Sequence, residues 1–349
     1  MPTSLNTPRT SQPSRIEVVA PARLHLGFFD LNGSLGHRFG SLGVTLEGLT
    51  TRVLAAPCDT VYASGPQSER AAAFASQAMS KLGLEGGAEI RIEQALPEHI
   101  GLGSGTQLAL AVGSAVAHLH GMRWPARLVA QALGRGRRSG IGIGAFEQGG
   151  FLVDGGHNAD ADVPPYVISR LVFPKDWRWI LVFDAQQHGL SGAVEKQAFA
   201  DLPRFPEDAA ARLCRLVLMQ LLPALTEADI TRFGQAVTEL QDCVGDHFAA
   251  AQGGRYASPH VAQGLQYLRR AGAAAVGQTS WGPTGFALAA SATQADFLVQ
   301  GARAAMRGAP VRFLVYAGRN RGADIAAQVP VPGMHAHRAR HMADMHALT

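Results

Sequence analysis

The chain has 349 residues, is 47% hydrophobic and 17% charged, and carries a formal net charge of +4. This is the balance of an ordinary globular protein large enough for two sub-domains on a shared core. With no Lys/Arg run interleaved with aromatics, it argues against nucleic acid as a partner, and a small anionic substrate accounts for the mild positive bias.

Residues 1–14, rich in Pro, Ser and Thr, read as a disordered tail and hold no apolar run of the kind a signal peptide needs. From Arg15, "RIEVVAPARLHLGFFDL" alternates and is β-branched at its start, which predicts a strand; "GVTLE", "TTRVLAA" and "AEIRIEQAL" predict three more. After a glycine-rich turn, Leu108, Val112, Ala115, Val116 and Leu119 recur on one face of a helix that Gly121 stops. Pro125 opens a short helix, "PARLVAQAL", and "AFEQGGFLVDGG" reads as a strand and turn. The proline-bearing "ADADVPPYVI" marks a boundary near residues 160–170, giving an N-terminal domain over 15–168 and a C-terminal domain over 169–328. Beyond it come a strand, "RWILVFD", and helices around 206–223, 226–251 and 258–271. The glycine turn "GQTSWGPTGFAL", a helix around 293–307 and a strand, "VRFLVYAG", follow. Residues 329–349, rich in His and Met, read as a flexible tail. The order predicts an α+β fold; the regular alternation of a doubly wound dinucleotide fold is absent.

Cys58, Cys214 and Cys243 are widely spaced with no CxxC pair, which argues against a disulfide framework or a thiolate zinc site and for a reducing, cytoplasmic setting. No apolar stretch reaches 18 uninterrupted residues, so no membrane span is expected.

The 40 glycines cluster, in "GLGSG", "GRGRRSGIGIG", "EQGGFLVDGG" and "WGPTG". "GLGSG", Gly101–Gly105, lies where a strand ends and a helix begins. The first turn of a helix has unpaired N–H groups and the positive end of the dipole, and glycine lets an oxyanion approach them closely. Ser104 and Thr106 add hydroxyl donors. The segment is neither a Walker A loop nor GxGxxG, and by itself it reads equally as a phosphate cradle or as an ordinary glycine-rich start to a helix.

Its neighbours carry a resemblance. "PxxxGLGS" at Pro97–Ser104 resembles the phosphate-binding motif of the GHMP kinase superfamily, as do "PARLHLG" at Pro21–Gly27 and the late glycine turn at Gly277–Leu288. The longer segments "ARLHLGFFDLNGSLGHRFGSLGVTLE", "GRRSGIGIGAFEQGGFLVDGG" and "GQTSWGPTGFAL" look like the β-ribofuranosylaminobenzene 5′-phosphate synthase family within it. The resemblance implies a GHMP kinase fold, with an N-terminal part like ribosomal protein S5 domain 2 and a ferredoxin-like C-terminal part. It implies that 4-aminobenzoate or 4-hydroxybenzoate condenses with phosphoribosyl pyrophosphate, releasing CO2 and pyrophosphate, on the way to tetrahydromethanopterin. A homodimer is the assembly the superfamily suggests.

The resemblance leaves two other readings open, a small-molecule kinase and a catalytically silent relative, and two departures argue against the kinase. Several superfamily kinases keep a catalytic Asp in an "SGxD" segment; Gly142 stands there in this chain, so the base that would take a hydroxyl proton is missing. Gly105 replaces the second Ser of the kinase "GLGSS". Charged residues beside the glycine motifs argue against a silent relative. The synthase chemistry implies roles for them. Gly101, Gly103, Ser104, Gly105 and Thr106 suit the pyrophosphate, with Mg2+ expected alongside and Asp154 as its ligand. Arg23, His25, Arg38, Arg137 and Arg138 are candidates for the 5′-phosphate and the aromatic carboxylate. Asp30 and Glu147 are the candidate carboxylates for a developing ring cation. His188, Ser280, Trp281 and Thr284 are candidates to wall the aromatic acid.

Overall fold

The alternating run that opens the first motif forms one long strand, β1 (Arg15–Asp30), which pairs antiparallel with β3 (Gly40–Cys58) along nearly its whole length. The computed structural model describes residues 14–158, 163–186, 201–280 and 282–328. A short strand, β2 (His37–Arg38), lies in the turn between them. β4 (Tyr62–Ser64), β5 (Gly87–Gln94), β6 (Phe151–Asp154), β7 (His157–Asn158) and β8 (Val167–Leu171) follow in the chain. The N-terminal sheet runs β13-β1-β3-β5-β4, where β13 (Asp324–Gln328) returns from the end of the described chain; β6 also pairs with β3, and β8 with β6.

Register shifts interrupt the β1–β3 ladder at Pro21–Arg23 and His25–Gly27. Such bulges change which side chains face which layer. Before the first shift, Ile16, Val18 and Ala20 pack under three helices, α1 (Ser68–Leu82), α2 (Ser104–Leu119) and α3 (Ala126–Ala132). After it, Leu24, Leu26 and Phe28 enter a second core, and Arg23 and His25 turn toward the loop ahead of α2. α1 is absent from the predicted elements because its buried face is Ala71, Ala75 and Ala78, too small to register as an apolar stripe. A fourth helix, α4 (Ile141–Glu147), occupies part of the segment read as strand and turn, ahead of β6.

The C-terminal part is β9 (Arg178–Asp184), α5 (Glu207–Thr226, with a π-helical turn at Val217–Leu221), α6 (Ile230–Gln252), α7 (Pro259–Arg270), β10 (Ala275–Gln278), β11 (Gly285–Ala289), α8 (Ala292–Ala305) and β12 (Val311–Ala317). Its sheet order, β10-β11-β9-β12, with every neighbour antiparallel, is the ferredoxin-like arrangement. α7 and α8 cover one face of that sheet. The other face, with Trp179, Leu181 and Phe286, shares a core with the second half of β1 and with α5 and α6.

The predicted division at residue 168 falls inside β8, which belongs wholly to the N-terminal sheet, as does β13. α5 has the length and apolarity of a membrane span, but it is amphipathic: Leu213, Val217, Leu221 and Leu225 lie in the shared core, with Glu207, Asp208, Arg212 and Arg215 exposed. It is a core helix. The expected tails at 1–14 and 329–349 lie outside the described residues, save Ser14.

Phe233 of α6 packs edge-on against Phe151 of the N-terminal sheet and tilted against Trp177, next to β9, with ring centroids 5.7 and 5.3 Å away. Phe233→Ala should therefore lower the unfolding free energy by about 3–5 kcal/mol. Calorimetry should show one transition for the whole chain; two separated transitions would show that the halves fold independently.

Candidate active site

The "GLGSG" segment is held from three directions. Leu96 and Leu102 are buried in the shared core and anchor the loop ahead of α2. Arg23 on β1 donates its backbone N–H to Leu102 O at 3.2 Å and its Nη1 to Gly101 O at 2.6 Å. Thr279, fully buried in the turn after β10, donates its hydroxyl to Gly101 O at 2.9 Å and accepts the His25 N–H at 2.9 Å. Gly101 and Gly103 both have left-handed torsions, φ +80° and +81°, and a Cβ on Gly101 would meet Thr279 O at 2.6 Å. Only glycine allows both the torsion and the approach. Gly103 is the N-cap of α2, without a side-chain cap, and the first turn has no acidic residue. Thr106 and Gln107 N–H groups return to Gly103 O. By helix geometry, those of Ser104 and Gly105 face outward, the arrangement that receives an anion.

Three arginines surround this helix start. A Cβ on Gly103 would lie 3.2 Å from Arg23 Cγ, and one on Gly105 would lie 2.7 Å from Arg135 Nη2 and 2.8 Å from Arg70 Nη2. Arg70, from α1, is paired with Glu98 and donates to Gln67 Oε1 at 3.0 Å; burial holds its guanidinium below its ordinary value. Arg135 follows α3, its guanidinium 5.9 Å from the centre of the Phe74 ring.

His25, 3% exposed, opens onto a pocket beside the loop, lined also by Phe28, Gln241, Phe248, Gln278 and Ser280. Its Nδ1 accepts the Gly27 N–H at 3.2 Å, which leaves the proton on Nε2, and Nε2 has no hydrogen-bond partner among the described residues. Burial, with Arg23 adding to it, pulls the imidazole down to about 3, so the ring is neutral. The pocket thus offers two aromatic faces, side-chain amides and one neutral donor. Arg255 also lines it, bound by Asp242 and Asp246.

The structure separates other predicted residues from this centre. Glu147 is exposed at the end of α4, where its Oε1 accepts the Arg127 N–H at 3.3 Å; it caps the end of α3 opposite Arg135. Asp154 is fully buried, and its carboxylate accepts from Ser41 Oγ (2.6 Å), Gly140 N (2.8 Å), Ser139 Oγ (2.9 Å) and Gly156 N (2.9 Å). Burial pushes this carboxyl up to about 6 despite the four hydrogen bonds. Committed to internal donors, it does not fit the role of Mg2+ ligand. Among the described residues, no three His, Cys, Asp or Glu side chains form a cluster that could hold a metal.

Asp30 Oδ1 accepts from Asn32 N and Gly33 N, forming the turn after β1. Arg38 in the same turn is exposed, donates Nε to Leu31 O and lies 4.8 Å over the Phe39 ring. Phe39 meets Phe28 at 5.6 Å, so this turn borders the far side of the His25 pocket. Arg137 is exposed and Arg138 half-buried in the turn that delivers Arg135. Thr284 is buried, and its carbonyl accepts the Thr279 N–H, which shapes the turn holding Ser280. His188 and Trp281 lie outside the described residues.

Gly142, within α4, faces the first turn of α2: a Cβ there would stand 3.1 Å from Thr106 Cγ2, and Gly142 O accepts from Gln107 Nε2 at 2.8 Å. An aspartate at this position would look directly at the helix start, so its absence bears on the chemistry of the loop. Sequence reasoning missed Arg70 and Arg135. Arg135 stands in the same "GRGRRSG" segment and could have been weighed with its neighbours; Arg70 carries no motif.

Comparison with known proteins places the chain in a family. Residues 69–150 match the GHMP kinases N terminal domain and residues 221–308 the GHMP kinases C terminal domain. The chain is 35% identical to the beta-ribofuranosylphenol 5'-phosphate synthase of Methanothermobacter thermautotrophicus, over 87% of this chain and 96% of that one. It is 34% identical to the protein of the same name from Archaeoglobus fulgidus, over 87% and 97%. Among solved structures, homoserine kinase from Cytophaga hutchinsonii superposes with a TM-score of 0.66 at 19% identity, covering 92% of this chain and all of the other.

The two buried titratable groups make a test. Between pH 4 and 6 the folded chain keeps a proton on Asp154 that the unfolded chain has released, and excludes one that the unfolded chain holds on His25. Their contributions to the pH dependence of stability cancel in that window. Asp154→Asn leaves His25 uncompensated. Its unfolding free energy should then fall from pH 6 to 4 more steeply than that of the parent, by about 1.4 kcal/mol per pH unit. Urea unfolding across the window measures this; parallel curves would place the Asp154 carboxyl in its ordinary range.

Proposed function

Because the chain belongs to the beta-ribofuranosylphenol 5'-phosphate synthase family of the GHMP kinase superfamily, we propose that it condenses phosphoribosyl pyrophosphate with a para-substituted benzoate, releasing CO2 and pyrophosphate. It is an enzyme of the transferase class that makes a carbon–carbon glycosidic bond, with tetrahydromethanopterin biosynthesis as its pathway. The observation that carries this reading is a loop built for a polyanion, facing Gly142 where a kinase would present its base.

The chemistry assigns the residues. The bond from the anomeric carbon to the diphosphate oxygen breaks, and its electron pair leaves with pyrophosphate, which the N–H groups of Ser104 and Gly105 receive with Arg23 beside them. The ring carbon bearing the carboxylate attacks the anomeric carbon. The pair of the carbon–carboxylate bond then restores the aromatic ring as CO2 departs. Charge develops at both ends of the breaking bond, so fixed dipoles and cations supply the stabilisation without a covalent nucleophile.

The aromatic acid occupies the His25 pocket, its ring against Phe28 and Phe248, with the His25 Nε2–H and Ser280 as donors. Arg38 at the far side is the cation left for the 5′-phosphate, and the Asp30 carboxylate holds the turn that carries it. Glu147 takes no part. Mg2+ comes as part of the substrate, on the diphosphate oxygens, as is usual for an ion that keeps most of its water. A phenol product corresponds to 4-hydroxybenzoate and an aminobenzene product to 4-aminobenzoate; both acceptors fit a pocket with neutral donors. The free thiols of Cys58, Cys214 and Cys243 support a reducing cytoplasmic setting.

Incubation with phosphoribosyl pyrophosphate, Mg2+ and carboxyl-labelled 4-hydroxybenzoate or 4-aminobenzoate should release labelled CO2 in step with pyrophosphate. ATP turnover with an alcohol, and no CO2 from either acid, would overturn the reading. His25→Ala should raise KM for the aromatic acid at least tenfold, about 1.4 kcal/mol of binding, and leave KM for phosphoribosyl pyrophosphate within twofold; the reverse pattern would move the acid out of this pocket.

A further inference from the structure

Among the described residues, five other than glycine have a positive φ, and of these only Phe39 carries a large apolar ring. Its φ of +73° is left-handed, a conformation that is costly for a bulky residue and that glycine adopts readily. The surroundings impose it. The Phe39 N–H reaches Asp30 O at 2.7 Å across the turn, and the β2–β7 pair sets Arg38 opposite His157. A Cβ on Gly156 would run into Arg38 O and Gly40 N, so the backbone on both sides of Phe39 is pressed against Gly156. Asp154 fastens this bracket: its Oδ1 accepts the Gly156 N–H at 2.9 Å and its Oδ2 the Ser41 hydroxyl at 2.6 Å. The ring held there lies between two others. It meets Phe28 edge-on with centroids 5.6 Å apart, and stacks on His157 at 5.5 Å with the planes 24° apart. Phe28 in turn leans on His25 at 4.7 Å, and those two line the pocket with Phe39 behind them. Four rings thus run in a row from β7 to His25. A strained torsion kept under an aromatic ring, where glycine would relieve it, is explained by what the ring supports.

From this we infer that Phe39 is a positioning residue for the His25 pocket: its ring fixes Phe28, and Phe28 fixes the face on which the aromatic acid lies beside His25. The inference rests on the synthase reading for the identity of that acid. In the reaction the attacking atom is a ring carbon, so its approach to the anomeric carbon depends on the tilt of the bound ring. Phe28 is one of the two walls that set this tilt. Without Phe39 behind it, Phe28 loses an edge-to-face contact and is free to turn. Phe39 also lies under the Arg38 guanidinium, 4.8 Å away, but Arg38 keeps its hydrogen bond to Leu31 O when the ring is removed. The aromatic acid therefore feels the loss of the Phe39 ring, and the phosphoribosyl donor much less.

Phe39→Ala, Phe39→Leu and Phe39→Tyr are compared with the parent in CO2 release, and their histidine side chains are followed by proton–nitrogen NMR, with His25→Ala identifying the His25 signals. Phe39→Ala should raise KM for the aromatic acid at least fivefold and leave KM for phosphoribosyl pyrophosphate within twofold. Its His25 signals should shift, because the Phe28 ring that leans on the imidazole turns. Phe39→Tyr, which keeps the ring, should match the parent in both measurements. Should Phe39→Ala fail to fold, Phe39→Leu keeps apolar bulk without a ring and should still raise KM for the acid at least threefold. Unmoved His25 signals, an unchanged KM for the acid, or an equal rise in both KM values would each overturn the assignment. The NMR measurement needs no turnover: a chain whose His25 signals shift as expected but which releases no CO2 would remove the synthase reading and leave Phe39 as the support of this pocket.

Discussion

The hydroxyl of Thr279 is where three distant stretches of the chain meet. It accepts the backbone N–H of His25 and donates to Gly101 O, joining β1, the phosphate-type loop and the turn after β10 through one buried atom. These residues are separated by 178 and 254 positions in sequence, so the joint forms only when both halves have folded and docked. A buried hydroxyl with both a donor and an acceptor satisfied is costly to break, since the partners left behind would be unpaired away from water. The positions of Arg23, His25 and the first turn of α2 all follow from it.

Around that joint, electrostatics are divided sharply. On one side, arginines from β1, α1 and the turn after α3 gather at a helix start with no acidic residue in its first turn. On the other, His25 is held neutral by burial and by the same Arg23 whose charge serves the loop. A cationic end for a charged leaving group therefore adjoins a pocket of aromatic faces and neutral donors. Carboxylates are kept out of this region or are already bound: Asp154 holds the start of α4 through four internal hydrogen bonds, and Glu147 caps α3. Glycine at position 142, against Thr106, leaves no carboxylate at the place from which a kinase aspartate would face the helix start, which separates this site from one built for phosphoryl transfer.

Much of this could be read before any coordinates. The strand–turn–helix character of "ALPEHIGLGSGTQLALAV" follows from local rules: alternation, a glycine break and a helical stripe. The three motif segments carried the family resemblance, and with it the fold and the reaction class. Two things were not legible there. Charged residues next to glycines look alike in sequence, and nothing local says that Glu147 Oε1 takes the Arg127 N–H or that Asp154 holds the start of α4. And α1, with its alanine face, left no periodic signal, which hid Arg70 along with it.

The amino-acid sequence by itself determined the long strands and the helices with an apolar stripe, the α+β class, the phosphate-type loop and the loss of the kinase base, because each depends on residues close together in the chain. Only the tertiary structure decided which charges share a site. Arg23, Arg70 and Arg135 come from three separate elements, and the register shifts in the β1–β3 ladder accompany the turn of Arg23 and His25 toward the loop. Side-chain direction over that range is set by register and packing, and neither is written in local sequence.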